Sequence, residues 1–404
     1  MTESRPLTIL CLASYEKGQE FMRECKRQGC RTFLVTSESI ADADWPRESL
    51  DDIFLIPDDN KKWKRDDVIK GISYLARTQT IDRIVALDDF DVETAAALRE
   101  HLRIPGMGDT TARYFRDKLA MRVKARDSGI PVPEFVHALN YDQIRDYMER
   151  VPPPWVLKPR FEASAVGIKK VHHAHELWPI LDSLGDKQSF YVLEKYVPGD
   201  VFHVDSIITN KKVLFSIASR YGTPPMTVAH GGGVFTTRTM IRGDADEQAL
   251  LAKNREVMAA LGLVHGVSHT EFIKGAEDGQ FYFLETASRV GGANIVELIE
   301  AATGMNLWAE WAKLEISDDK NPYKLPKMKK NHAGLLVSLA RQEYPDYLAF
   351  KDPEIVWTLH KKHHAGLIVS SPDYHRIDEL LADYVERFTR DFTAFQPSPE
   401  RPTG

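Results

Sequence analysis

Apolar and polar positions alternate in two different rhythms along the chain. Over the first part, residues 7–13 (LTILCLA), 31–36 (RTFLVT), 53–56 and 81–87 are short apolar runs of strand length. Between them, residues 17–29 and 66–78 have helical spacing, the former stopping at Gly29. This rhythm predicts a parallel sheet with helices on both faces. The middle of the chain is richer in strands. Runs at 155–159, 167–171, 190–197, 213–219, 234–239, 267–274 and 281–284 are separated by turns, and a further strand is opened by His203-Val204-Asp205. Helices are expected at 92–101, 110–128, 245–261 and 293–302. The last part predicts strands at 333–339 and 365–369 and a helix over 373–392, with 396–404 disordered.

Two breaks divide these patterns. Ile104-Pro105-Gly106-Met107-Gly108 closes the opening unit, and Val151-Pro152-Pro153-Pro154 interrupts the middle. The expected division is 1–108, 109–330 and 331–404.

The strongest chemical signal lies in residues 280–292 (QFYFLETASRVGG). An apolar strand delivers Glu285, and Arg289 follows just before Gly291-Gly292. Residues 275–279 read as the loop of a hairpin with 267–274 (VSHTEFIK). Folding about Asp278 sets Glu271 opposite Glu285, on the same face of the sheet. Two carboxylates on apolar strands call for a cation between them, and a hard ion such as magnesium bound with phosphate meets that need. A hairpin with two solvated glutamates is the other reading. The helix start after Gly292 favours anions near Arg289.

Other residues add to this. Lys158 sits on the apolar run WVLKP and needs an anion, such as a nucleotide phosphate. The loop 160–166 (RFEASAV) offers backbone N–H groups and Ser164 to close over phosphates, without matching a Walker motif. The first strand is followed by ASYEKG and not by G-x-G-x-x-G, which argues against NAD and FAD. Asp88, Asp89 and Asp91 stand at a strand end, placed either to meet a ligand or to cap the helix at 92. Lys118, taken alone, reads as a surface helix lysine. His230 and Arg238 flank a glycine loop that is either a plain turn or a substrate flap. His172, His173, His175, His360, His363 and His364 read as solvated turns rather than metal ligands.

Composition narrows the class without choosing a chemistry. Hydrophobic residues are 43% and charged residues 28% of 404, with a net charge of −6, an ordinary globular balance with no pull towards nucleic acid or acidic membrane. Three cysteines without paired spacing, no spanning apolar run and no signal-peptide order predict a cytoplasmic protein.

In order and spacing, Leu87-Asp88-Asp89-Phe90-Asp91, Asp117-Lys118, Gly129-Ile130-Pro131-Val132-Pro133, Leu157-Lys158-Pro159, Glu194-Lys195-Tyr196-Val197, Glu271-Phe272 and residues 285–292 resemble the ATP-grasp superfamily, in its biotin-carboxylase-like and L-amino-acid-ligase-like branches. The resemblance implies an α/β and α+β fold. Its parts are an N-terminal Rossmann-like parallel-sheet domain, a central two-lobed ATP-grasp unit (lobes about 109–193 and 194–330) and a small C-terminal lobe. It implies that Lys118 and Lys158 bind ATP phosphates, and that Glu194, Lys195 and Val197 hold the adenine. Ser164 belongs to the phosphate loop. Asp200, His203 or Asp205, in place of the usual acid near Val201, holds the ribose. Glu271 and Glu285 hold magnesium, and either Asn294 substitutes for an Asn that the family often has where Ala287 stands or the second metal is held more loosely. Arg289 and Lys158 carry the catalysis. Asp89, His230 and Arg238 are expected near substrate. The implied reaction joins a small carboxylic acid to an amine through an acyl phosphate, releasing ADP and phosphate, in a possible homodimer. The alternatives are a biotin-carboxylase-type enzyme and an ATP-binding regulatory protein without turnover, the latter kept open by Ala287.

Overall fold

The structure is a computed structural model that describes residues 5–163, 166–226, 228 and 232–394. β1 (Thr8–Ala13) is buried along its whole length, as expected of a central parallel strand. It runs parallel to β2 (Arg31–Ser37), and β2 to β3 (Asp52–Ile56). A ribbon of β4 (Asp58–Asp59) and β5 (Lys62–Trp63) precedes β6 (Arg83–Ala86), which pairs with the other side of β1. The sheet order is β3-β2-β1-β6. Helices Gln19–Arg27, Arg65–Leu75 and Val92–Leu102 cover it, burying side chains such as Phe21, Val68 and Leu98. The expected α/β opening domain is therefore present.

The helix predicted over 110–128 is two helices, Asp109–Arg113 and Lys118–Asp127. The chain leaves the helical conformation at Asp117, whose carboxylate accepts hydrogen bonds from the backbone N–H groups of Leu119 and Ala120. A capping aspartate is a strong start signal, and a periodicity count runs straight through it. The break puts Lys118 in a helical first turn rather than on an exposed helix face.

The first central sheet contains β7 (Phe135–His137), β8 (Trp155–Pro159), β9 (Lys169–Val171) and β10 (Tyr191–Lys195), antiparallel in the order β7-β10-β8-β9. Helices Tyr141–Arg150 and Ala174–Leu184 pack on it through Ile144, Tyr147, Leu177 and Leu181.

The second central sheet is built from β11 (Gly199–Thr209), β12 (Lys212–Tyr221), β13 (Phe235–Thr239), β14 (Gly266–Gly275) and β15 (Phe281–Ala287). β16 (His332–Leu339), β17 (Ile355–Thr358) and β18 (His364–Ser371) extend it. The order is β15-β14-β11-β12-β13-β16-β18-β17, antiparallel throughout. The strand expected to open at His203 begins at Gly199. The C-terminal strands form no sheet of their own, because β16 pairs directly with β13. The helix Tyr374–Asp391 closes over them. It approaches so tightly that a Cβ at Gly334 would lie 2.8 Å from Leu381 and 2.9 Å from Ile377. The disorder expected at 396–404 concerns residues outside those described. No helix among the described residues is long and apolar enough to cross a membrane.

Candidate functional site

A cleft of about 450 Å³ opens between the two central sheets. The four-stranded sheet contributes Lys158 from β8 and Glu194 and Lys195 from β10, with Val197 just beyond. The eight-stranded sheet contributes Glu271 from β14 and Glu285 from β15. Lys118 enters from its helix start, Arg289 follows β15, and Asp89 reaches in from the parallel-sheet domain.

The two glutamates face each other as the hairpin reading requires. Glu271 is the register partner of Glu285, and a bulge then shifts the next pairing to Phe272 with Phe283. Each carboxylate is already engaged. Lys118 Nζ lies 2.8 Å from Glu285 Oε2 and also donates to the Glu162 carbonyl at 2.6 Å. The Tyr221 hydroxyl donates to Glu271 Oε1 at 2.8 Å.

Behind Glu271 lies a buried chain of hydrogen bonds. His269 Nδ1 is 2.8 Å from Asp205 Oδ1, His203 Nδ1 is 2.7 Å from Asp205 Oδ2, and His203 Nε2 is 2.8 Å from Thr237 Oγ1. Burial would depress the His269 pKa, but the Asp205 carboxylate outweighs it and brings it up to about 9. Burial pushes the Glu271 carboxyl up, and the nearby His269, 3.7 Å away, together with the Tyr221 hydrogen bond more than reverses that, leaving it lowered. The ligand atoms of His203, Asp205 and His269 cluster within 4.8 Å, but each imidazole is bonded to the carboxylate, so the trio is a hydrogen-bonded chain.

Glu194 is fully buried between two cations. Arg122 Nε lies 2.8 Å from Oε1 and Lys158 Nζ 2.9 Å from Oε2. Arg122 also donates to the Leu284 carbonyl on β15, so one guanidinium ties the two sheets together. Burial raises the Glu194 pKa, but Arg122 and then Lys158 overcome this and hold it at about 2. Arg289 donates to Asp89 Oδ2 at 2.6 and 3.0 Å. Against the effect of burial, this guanidinium and Arg116 bring Asp89 down to about 2.

Several expected residues lie elsewhere. His203 and Asp205 are 0% exposed and do not line the cleft, so a ribose-holding role does not suit them. Both share the cleft-side face of the sheet with their register partners Glu271 and His269, but they are covered, and their side chains are spent on the chain through His269. Asn294 also lies off the cleft wall. It adopts a left-handed conformation at the start of the helix Ile295–Thr303. Arg238 pairs with Asp378 at 2.6 Å and Tyr374 at 2.9 Å, which makes it a tie to the C-terminal helix. Ser164 and His230 fall outside the described residues.

Sequence reasoning passed over Arg122, His269 and Tyr221. Arg122 lies four residues beyond Lys118 on one helix, and His269 two before Glu271 on one strand. Both spacings place the pair on a shared face. Tyr221 ends β12, two strands away from Glu271, and no local pattern points to it.

No protein-family model matches the chain. The chain has the ATP-grasp fold, shared at a TM-score of 0.74 and 16% identity with an L-amino acid ligase from Bacillus licheniformis, over 97% of this chain and 100% of that one. A biotin carboxylase from Campylobacter jejuni, solved as a β,γ-ATP complex, superposes at a TM-score of 0.71 and 16% identity, covering 93% of this chain and 90% of that one. By sequence the chain is similar to an L-arginine-specific L-amino acid ligase from Bacillus subtilis, 27% identical over 247 residues, which is 59% of each chain. It thus spans about three fifths of the length of the curated relatives it matches.

Proposed function

We propose that the protein is an ATP-dependent carboxylate–amine ligase acting on amino acids or other small carboxylic acids. The observation that carries this reading is the convergence of Lys118, Lys158 and Arg289 with Glu271 and Glu285 on one cleft between two sheets. A site of fixed cations and carboxylates, without a nucleophile aligned to a base among the described residues, suits phosphoryl transfer by positioning and charge neutralisation. The L-amino acid ligases among the relatives support the substrate class.

In this reading Lys118 and Lys158 bind the nucleotide phosphates, and the backbone from Lys195 to Val197 holds the adenine edge. Lys118 exchanges Glu285 for a phosphate oxygen as the nucleotide enters. Glu271 and Glu285 fit a magnesium ion: both are oxygen donors on one face of a hairpin, with phosphate oxygens and water left to complete the set. A bound magnesium ion neutralises phosphate charge there. Arg289, steadied by Asp89, faces the charge that builds on the transferred phosphoryl group. The substrate carboxylate attacks the γ-phosphorus and ADP leaves. The amine then attacks the acyl carbon, the C–N bond forms as the C–O bond to phosphate breaks, and the amine proton goes to solvent. Three buried free thiols, Cys11, Cys25 and Cys30, suit a reducing compartment, so we place the protein in the cytoplasm.

Phosphate release from ATP and magnesium, screened over pairs of carboxylic acids and amines, tests the reading. Release is expected only with both partners. Release with bicarbonate and biotin instead would establish the carboxylase chemistry, and tight ATP binding without release for any pair would establish the regulatory one.

A further inference from the structure

A second, smaller pocket of about 190 Å³ lies in the parallel-sheet domain, at the C-terminal end of β1. Its walls include Tyr15, Lys61, Trp63, Phe90 and Asp91, and Glu162 borders both this pocket and the main cleft. The two chambers meet at one short turn. Asp89, Phe90 and Asp91 form a 3₁₀ turn in which Asp89 lines the cleft and Asp91 lines the pocket. The Phe90 ring between them stacks on Tyr15 with centroids 5.1 Å apart, and the Arg116 guanidinium from the cleft wall lies 4.9 Å from it.

The pocket wall carries Lys61 and Lys62 and, apart from them, the carboxyls of Asp91 and Glu162. Lys61 holds its ammonium 4.3 Å from the centre of the Tyr15 ring. It is half-buried, has Lys17 and the carboxylates of Asp88, Asp58 and Glu16 as neighbours, and makes no ion pair within 4 Å among the described residues. Lys17 is already paired with Asp88, whereas the Lys61 ammonium, held over an aromatic face without an ion pair, is a place for an anionic group. Asp91 is 2% exposed and already accepts the Ser14 backbone N–H at 2.8 Å. The Trp63 ring is fixed by its N–H bond to Ser37 Oγ at 2.8 Å, which makes it a rigid wall.

We infer that this pocket is the subsite for the acceptor amino acid, its carboxylate at Lys61 and its amino end turned past Asp91 towards the cleft. The inference rests on the ligase reading for the word acceptor, and on the pocket alone for the zwitterionic ligand. Size agrees, since the space takes one small amino acid and no nucleotide. Adjacency agrees as well, since a single 3₁₀ turn separates the pocket from the Asp89–Arg289 pair.

The test replaces Lys61 with Asn, which tolerates the left-handed conformation that Lys61 adopts (φ 62°). The proteinogenic amino acids and their carboxamides are titrated into the ligand-free protein by calorimetry, and the same compounds serve as acceptors in turnover. For the wild type, free amino acids are expected to bind about tenfold or more tighter than their carboxamides, the size of one charge-assisted contact. Lys61→Asn is expected to abolish that preference and to raise the acceptor KM by the same factor, with the KM for ATP retained. Hydroxylamine, which carries no carboxylate, is expected to give hydroxamate in the variant within about twofold of the wild type. Equal acceptor KM and equal binding in wild type, Lys61→Asn and Trp63→Ala would overturn the subsite, as would the absence of amino-acid binding to the wild type. Binding that follows the prediction without hydroxamate or phosphate from any carboxylic acid leaves the subsite standing and overturns the ligase reading.

Discussion

Lys118 and Glu285 form a direct ion pair, Nζ to Oε2 at 2.8 Å, across the mouth of the cleft. The lysine comes from a helix start and the glutamate from an edge strand of the eight-stranded sheet, so this pair holds closed the position where a nucleotide phosphate and its metal would sit. Glu271, the register partner of Glu285, is held by Tyr221 instead. The like-charge repulsion that the hairpin alone implies is thereby relieved within the protein.

Glu285→Gln is therefore expected to lower the stability of the ligand-free protein slightly, by about 1 kcal/mol or less, because an ion pair and not a repulsion is lost. In the ligase reading, kcat is expected to fall about a hundredfold or more, given the several kcal/mol that a metal ion contributes to transition-state charge stabilisation. Thermal melts and phosphate release check both. A variant with full turnover would remove Glu285 from the site.

Lys158→Ala and Lys118→Ala are each expected to weaken ATP binding by about 1.5–3 kcal/mol, the value of a hydrogen bond to a charged group. Calorimetry measures this directly. Unchanged affinity in both variants would exclude these lysines as phosphate ligands.

Arg122→Met removes the guanidinium that joins Glu194 to the Leu284 carbonyl. Breaking a buried ion pair from one side costs about 3–5 kcal/mol, and Glu194 keeps only Lys158. Urea denaturation is expected to show a loss of this size, and a loss under 1 kcal/mol would contradict the role of Arg122 as the tie between the sheets.

Stability should depend on pH with two opposite slopes. Glu194 and Asp89 are depressed to about 2 in the folded protein, so between about 2 and 4 the unfolded chain binds more protons. Stability contributed by these pairs is present above about 4 and is lost as pH falls towards 2. Asp91 runs the other way: burial first, then Asp88, brings its carboxyl up to about 7, so it binds a proton in the folded state that the unfolded chain releases near 4. Its contribution falls as pH rises from about 4 to 7. Urea melts of wild type and Asp91→Asn over pH 3–8 are expected to show the variant gaining on the wild type across that interval. A constant difference would show that Asp91 titrates normally.

Arg238→Ala is expected to leave the KM for ATP and for substrates within about twofold and to cost about 1 kcal/mol of stability, since Arg238 pairs with partly exposed Asp378 and with Tyr374. A large rise in KM would restore Arg238 to the substrate site.

The elements of this protein are legible in its sequence because strand and helix periodicities are local. The runs at 7–13 and 31–36 are apolar enough to require burial on both faces, and the turn at 275–279 is short enough to announce the hairpin, while the bulge between Glu271 and Phe272 completes the register that opposes Glu271 to Glu285. Lys158 was legible for a related reason: a cation on a buried strand announces an anion. The tertiary structure alone decided which charges meet. Lys118 pairs with Glu285 across 167 positions of sequence, and Tyr221 reaches Glu271 from two strands away; no spacing rule extends so far. It also decided that Asp205 is spent inside the fold on His203 and His269, and that Arg238 faces the last helix. Whether a polar side chain on a strand faces a cleft or the interior depends on what packs against that face, and here the packing comes from distant parts of the chain.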